Sequence, residues 1–383
     1  MSGYVLLALR IEPFMYNFYL ISWWSYIAFV DAALALKSGR FRILNRNLLF
    51  LIILSSAFWC ISELINLHIQ NWYYINIPGY WLIRFIGYLV AYGTVIPGIY
   101  ITKEALASLL GELRVRPLRI RRYAAFCVGL GLLSFVLLLL FPSHLFFLAW
   151  VFPVLLLDGY SYAKGRWCFM QDLEHGSAAN LVSSLLAGLV CGFLWETWNY
   201  WAISKWVYTV PYFENVKLFE MPILGYGGFL LFALETVLFF SLVNDSPVVR
   251  RHRLITGTVA LALSLFSFTM IDRYTIFSYT ATVDELAFFD HRTREDLKLD
   301  GAWTSFAIDP TRLKPEERRL LELVHLKGLG VANVTKLKDR DVSSVRELSR
   351  LNEEELAGII GEKNRQRVRV YINAAQHYQP AAY

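Results

Sequence analysis

Two glutamates stand three residues ahead of an asparagine inside long apolar runs, as Glu63-x-x-Asn66 and Glu196-x-x-Asn199. Residues three apart share one helix face, so each pair sets a carboxyl beside a carboxamide. Ionisable groups in hydrocarbon are costly, which makes them functional candidates by default. In a dry pocket a carboxyl can act as general acid or base. The same groups can instead bond across helices and hold them together, and the spacing leaves both readings open. A third carboxyl, Glu235, lies deep in a later apolar run, after Gly225-Tyr226-Gly227-Gly228-Phe229 and with no cation near it in sequence. A lone carboxyl there is expected to be protonated or paired across helices. It is then a general acid, or a plain hydrogen-bond donor to a backbone carbonyl. Asn199 is the expected orienting residue, with Trp201 and Tyr226 as pocket aromatics.

These pairs belong to a pattern written twice. Trp23, Asp31, Gly39-Arg40, Glu63, Asn66, Trp72-x-Tyr74 and Arg121-Arg122 are matched by Trp150, Asp158, Gly165-Arg166, Glu196, Asn199, Trp206-x-Tyr208 and Arg250-Arg251. The offset between copies changes only across links between helices, as a duplication with loop insertions and deletions would behave. Asp31 and Asp158 each precede a basic link, which points to interfacial ion pairs. The Trp-x-Tyr elements read as an aromatic belt at the membrane interface or as the wall of a ligand pocket.

The elements that must carry these residues are membrane helices. Of 383 residues 56% are hydrophobic and only 18% charged, with mean hydropathy +0.42, which excludes an ordinary soluble protein. A bilayer core needs about 20 apolar helical residues. Eight segments qualify: 17–36, 47–67, 80–102, 123–141, 143–163, 178–203, 221–243 and 254–271. Residues 1–141 would form one four-helix repeat and 142–272 a second. Residues 273–309 follow as a linker or degenerate helical unit, then 310–383 as a charge-rich tail. The expected class is all-α, a polytopic bundle with a small C-terminal helical domain.

Alternate links are rich in Lys and Arg, which places them in the cytoplasm by the positive-inside rule and puts the tail outside. The start of the chain lacks the basic flank and cleavage site of a signal peptide, so a bacterial-type inner membrane is expected. The cysteines Cys60, Cys127, Cys168 and Cys191 form no CxxC, and the histidines lack ligand spacing. No metal or cofactor is expected.

The run Trp195-Glu196, Lys205-Trp206-Val207-Tyr208, Glu220-Met221-Pro222 and Glu235 resembles the membrane domain of the heterodimer-type lycopene cyclases. The resemblance covers about 50 residues of the second copy, with a fainter echo in the first. It implies an apolar polyene or isoprenoid ligand, protonated by Glu196 or Glu235 and stabilised as a cation by aromatic faces. Glu63, Asn66, Trp206 and Tyr208 would line the same site. The paired glutamates that the family carries after its proline are absent, since Ile223-Leu224-Gly225 follows Pro222. The copies here also have four spans rather than three.

In the tail, Leu326-Lys327-Gly328-Leu329-Gly330, with Val334 and Leu337 beyond, resembles a helix-hairpin-helix motif. Gly328 and Gly330 would permit the tight turn, and Lys327 would reach phosphates in nucleic-acid-binding members. Residues 273–383 are close to neutral, which argues against nucleic acid and for a protein partner. Three functions compete: a binder or cyclase-like enzyme for an isoprenoid or lipid, a transporter built on repeats, and a scaffold whose tail recruits a partner protein.

Overall fold

The computed structural model describes residues 2–378 apart from 10, 13, 211 and 213–215. Met1 and the last five residues of the expected 310–383 unit lie outside the described residues. The chain is helical, and among the described residues seven helices are long and apolar enough to cross a membrane. In chain order the membrane elements are α1 (Phe18–Ser38), α2 (Leu48–Ile69), β1 (Trp72–Ile75), α3 (Trp81–Tyr92), α4 (Val95–Leu110), α5 (Tyr123–Leu140), α6 (Leu148–Ala163), α7 (Ala179–Trp201), β2 (Lys205–Tyr208), α8 (Tyr226–Asn244) and α9 (Arg253–Tyr274).

Two of the eight expected spans differ. The span at 143–163 is the 16-residue helix α6, about 24 Å long and short of a hydrocarbon core of about 30 Å. Pro142 opens a separate turn, Pro142–Leu145, which takes residues from it. The span at 80–102 is broken into α3 and α4 at Gly93-Thr94. Pro97 has no N–H to offer the Gly93 carbonyl. Ser55 of α2 bridges the break, donating to the Tyr92 carbonyl at 2.7 Å and accepting from the Ile96 amide at 3.0 Å.

Small residues let the helices approach closely, as membrane bundles require. On α7 a Cβ at Gly192 would lie 2.4 Å from the Phe229 ring, and one at Gly188 2.4 Å from the Phe229 carbonyl oxygen. The basic links gather at one end of the bundle. There Arg253 bonds Asn47, Arg42 pairs with Glu104, and the Val115 amide reaches the Gly176 carbonyl. Asp31 and Asp158 cap these links rather than forming the expected ion pairs. Asp31 accepts the amides of Arg42, Ile43 and Leu44, and Asp158 accepts the Phe169 amide and the Tyr123 hydroxyl.

At the opposite end β1 and β2 form an antiparallel ribbon, with Trp72 opposite Tyr208 and Tyr74 opposite Trp206. The segment after α9 adds alongside, through Tyr74 N to Thr275 O and Phe277 N to Tyr74 O. Strand side chains alternate between faces. Trp72, Tyr74, Trp206 and Tyr208 point into the bundle, while Tyr73, Ile75 and Val207 point away and pack on Val370 of the tail.

The tail is a cluster of short helices: α10 (His291–Leu299), α11 (Pro315–His325), α12 (Gly330–Lys338), α13 (Val345–Leu348), α14 (Glu353–Ile360) and α15 (Arg365–Gln376). The turn between α11 and α12 sits on the ribbon. Lys327, Gly328 and Gly330 there all have positive φ, at 45°, 76° and 74°. A Cβ at Gly328 would fall 2.2 Å from Ile75 Cγ2. Arg367 of α15 covers the rings of Phe277 and Tyr73, and Asn364 bonds Gln70 at 3.0 Å.

Gly328→Ala must both strain the left-handed turn, roughly 1–2 kcal/mol, and collide with Ile75. Limited proteolysis of the purified chain should then cut the tail several-fold faster than in wild type. Unchanged cleavage would mean that the turn is not seated on the ribbon.

Candidate functional site: an aromatic cavity beneath the ribbon

The Glu-x-x-Asn pairs sit in the last turns of α2 and α7, directly before the two strands. Asn66 Oδ1 accepts the amides of Asn71 (2.9 Å) and Trp72 (3.2 Å), and its Nδ2 donates to the Trp72 carbonyl at 2.9 Å. Asn199 repeats this on Trp206, accepting from its amide and donating to its carbonyl, both at 3.0 Å. A carboxamide offers both a donor and an acceptor, so each asparagine completes the backbone pairing of one strand where its helix ends.

The glutamates hold the side chains of the same strands. Glu63 Oε1 accepts from Tyr74 Oη at 2.6 Å and from Trp59 Nε1 at 2.7 Å, and Trp72 Nε1 lies 3.2 Å away. Glu196 Oε1 accepts from Tyr208 Oη at 2.8 Å. Burial, and then the neighbouring glutamate, keep the Tyr74 and Tyr208 hydroxyls well above their ordinary pKa, so both remain donors. The two Glu-x-x-Asn pairs differ in one respect. The residue four before Glu63 is Trp59, whereas the residue four before Glu196 is Gly192, whose space the Phe229 ring fills. Glu196 therefore lacks that indole, and among the described residues its Oε2 is buried with no hydrogen-bond partner.

Beneath the ribbon lies a cavity of about 760 Å³. The inward ribbon face forms one wall, and Trp59, Trp150, Trp195 and Phe232 from the helices form others. The rings pack on one another: Trp72 stacks on Trp150 at 6.3 Å, Trp150 meets Phe232 edge-on at 5.5 Å, and Tyr19 meets Trp206 at 5.4 Å. Polar groups on the lining include Asn71, Arg84, His144 and Lys205. Arg84 is committed, with Nε 2.8 Å from Asp272 Oδ1 and its Nη1 on the carbonyls of Pro78 and Gly79.

Lys205 faces a buried carboxylate, Glu220, which sits on the turn between the paired segments Lys217–Leu218 and Met221–Pro222. Lys327 of the tail also bonds Glu220, and Lys205 Nζ lies 3.5 Å from it. Burial alone would raise the Glu220 carboxyl, but Lys327, Lys205 and Lys217 together take it below its ordinary pKa. Burial pulls the Lys205 ammonium down, partly offset by Glu220.

Of the residues expected from sequence, Trp206 and Tyr208 line the cavity, and Glu63, Asn66, Glu196 and Asn199 brace the strands that wall it. Glu235 does not reach it. That carboxyl lies in the buried stretch of α8 beyond Phe232, its Oε2 also without a hydrogen-bond partner among the described residues. Trp201 is 55% exposed, and Tyr226 bonds the Leu218 carbonyl; neither lines the cavity. Lys327, Gly328 and Gly330 are on the tail side of the ribbon. Sequence reasoning missed Trp59, Trp150 and Trp195 as lining residues. Trp150 belongs to the twice-written pattern and Trp195 precedes Glu196, so two of the three carried a signal. No protein-family model, curated protein or solved structure matches the chain.

Asn66→Ala and Asn199→Ala each leave strand backbone groups unpaired beneath the ribbon, at a cost of roughly 1–3 kcal/mol apiece. Both variants should unfold several degrees below wild type when followed by circular dichroism in detergent. A wild-type transition for either would remove that residue from the bracing role.

Proposed function

We propose that the chain is a multi-pass membrane protein that binds an apolar isoprenoid, carotenoid or other lipid in the cavity beneath the ribbon. The observation that carries this reading is the cavity itself. Its volume lies within the roughly 300–1,000 Å³ of small-molecule sites, and its walls combine indole, phenyl and phenol rings with aliphatic side chains such as Leu20, Ile83 and Leu231. Such walls suit an extended apolar molecule and offer little to a hydrated solute. None of Glu63, Glu196 and Glu235 lines the cavity, which favours binding over a reaction catalysed by a carboxyl at the ligand. In this reading the glutamates fix the pocket walls.

We also read the two halves as a duplication with both copies in one orientation. Matched bracing of the strands by Asn66 and Asn199, and the cross-pairing of Trp72 with Tyr208 and of Tyr74 with Trp206, support it. The basic links at one end of the bundle favour a bacterial-type inner membrane with that end in the cytoplasm. The ribbon and the tail then face outward. The tail's hairpin-like turn is occupied by the ribbon, which favours a cap on the pocket over a nucleic-acid contact.

Gly87 and Gly227 line the cavity and have open space where a Cβ would be added. Mass spectrometry of an organic extract of the purified protein should detect a stoichiometric lipid. Gly87→Leu or Gly227→Leu should lower its amount several-fold without lowering the unfolding temperature. An extract with no retained apolar molecule, or one unchanged by both substitutions, contradicts the proposal.

A further inference from the structure

The basic end of the bundle carries more cation than the chain itself neutralises, and much of the excess lies in residues 111–122, between α4 and α5. That segment holds five arginines and one carboxylate, Glu112. Arg114 takes Glu112, at 2.8 Å. The side chains of Arg116, Arg119, Arg121 and Arg122 are exposed and make no hydrogen bond or ion pair among the described residues. Carboxylates elsewhere at this end are engaged within the chain. Asp31 and Asp158 cap links, Glu104 pairs with Arg42 and Lys103, and Asp245 pairs with Arg250. Glu174 accepts from Tyr162, and Asp172 from Trp167 and Asn180.

The segment is pinned by its backbone. The Val115 amide reaches the Gly176 carbonyl at 2.9 Å and the Leu118 amide the Leu173 carbonyl at 3.1 Å, while the Leu113 carbonyl accepts the Ala178 amide at 2.9 Å. Ala179 opens α7, so these bonds hold the segment against residues where a span begins. Between the arginines stand Val115, Leu118 and Ile120, 42%, 46% and 42% exposed. A nucleic acid or an acidic protein would meet the guanidinium groups but leave these apolar side chains in water. A lipid headgroup layer answers both, since arginine recognises phosphate and apolar side chains enter the acyl boundary. Four uncompensated charges also favour a lipid of net negative charge over a zwitterionic one. We propose that residues 111–122 bind anionic phospholipid of the adjoining leaflet, with Arg116, Arg119, Arg121 and Arg122 on headgroup phosphates and Val115, Leu118 and Ile120 below them. This assignment is independent of the cavity beneath the ribbon and rests on the chain spanning a bilayer.

The test uses the full-length chain, delipidated in an uncharged detergent, with native mass spectrometry to count retained lipid. Dioleoyl phosphatidylglycerol and dioleoyl phosphatidylcholine are offered in equal amounts. Wild type should bind the anionic lipid at least about tenfold tighter, since each cation near a charged headgroup layer contributes roughly fivefold, and added salt should shrink the difference. Changing all four arginines to Gln should bring the ratio close to one, and changing them to Lys should keep most of it. Because the four side chains are exposed, both variants should keep the wild-type circular dichroism. Leu118→Ser with Ile120→Ser should weaken both lipids and leave their ratio. Equal retention of the two lipids by wild type overturns the proposal, as does a preference that survives the Gln changes. Glycerophosphoglycerol and a labelled single-stranded oligonucleotide serve as the other sources of phosphate. Binding of either as tight as that of the anionic lipid overturns the assignment to a lipid layer, and so does lipid binding unchanged by the two Ser substitutions.

Discussion

Eight residues from two distant parts of the chain, Trp72–Ile75 and Lys205–Tyr208, pair as an antiparallel ribbon across the end of a helical bundle. The other features of that end follow from this pairing. Because strand side chains alternate, the ribbon has an aromatic face turned into the bundle and a second face available to the tail. The first roofs the cavity; the second, through Tyr73, Ile75 and Val207, receives Val370. A ribbon this short is unstable alone. Its backbone is completed by Asn66, Asn199 and the strand-like segment after α9.

The polar groups inside the apolar helices answer one constraint, that a buried carboxyl or carboxamide must find partners. At the end of α2, Trp59, Trp72 and Tyr74 surround Glu63 with donors. At the end of α7, four residues before Glu196, stands Gly192 rather than a tryptophan, and Phe229 uses the space to bring α8 against α7. Closer helix packing there comes with one Glu196 oxygen that has no hydrogen-bond partner among the described residues. Glu220 shows the same constraint outside the helices, where a buried carboxylate is bonded by a lysine of the tail and faced by one from the ribbon.

The helices were largely legible in the sequence, since uninterrupted apolar runs of membrane length have few alternative folds. The Glu-x-x-Asn spacing marked two pairs whose members each bond the strand that follows. The ribbon was not legible. Four-residue Trp-x-Tyr elements fit an interfacial belt equally well, and the pairing partner lies more than a hundred residues away. The break at Gly93-Thr94 was only hinted at by Pro97, because the residue that bridges it, Ser55, is on another helix. Glu235 attracted attention by its isolation in sequence, but its distance from the cavity depends on helix rotation, which a single apolar run does not specify.

Hydrogen–deuterium exchange of the full chain in detergent tests the ribbon most directly. If the strands pair, amides of residues 72–75 and 205–208 should be protected to the same level as each other and close to that of the core of α2. Exchange of either segment at the rate of an exposed loop would contradict the pairing, and with it the roof of the cavity.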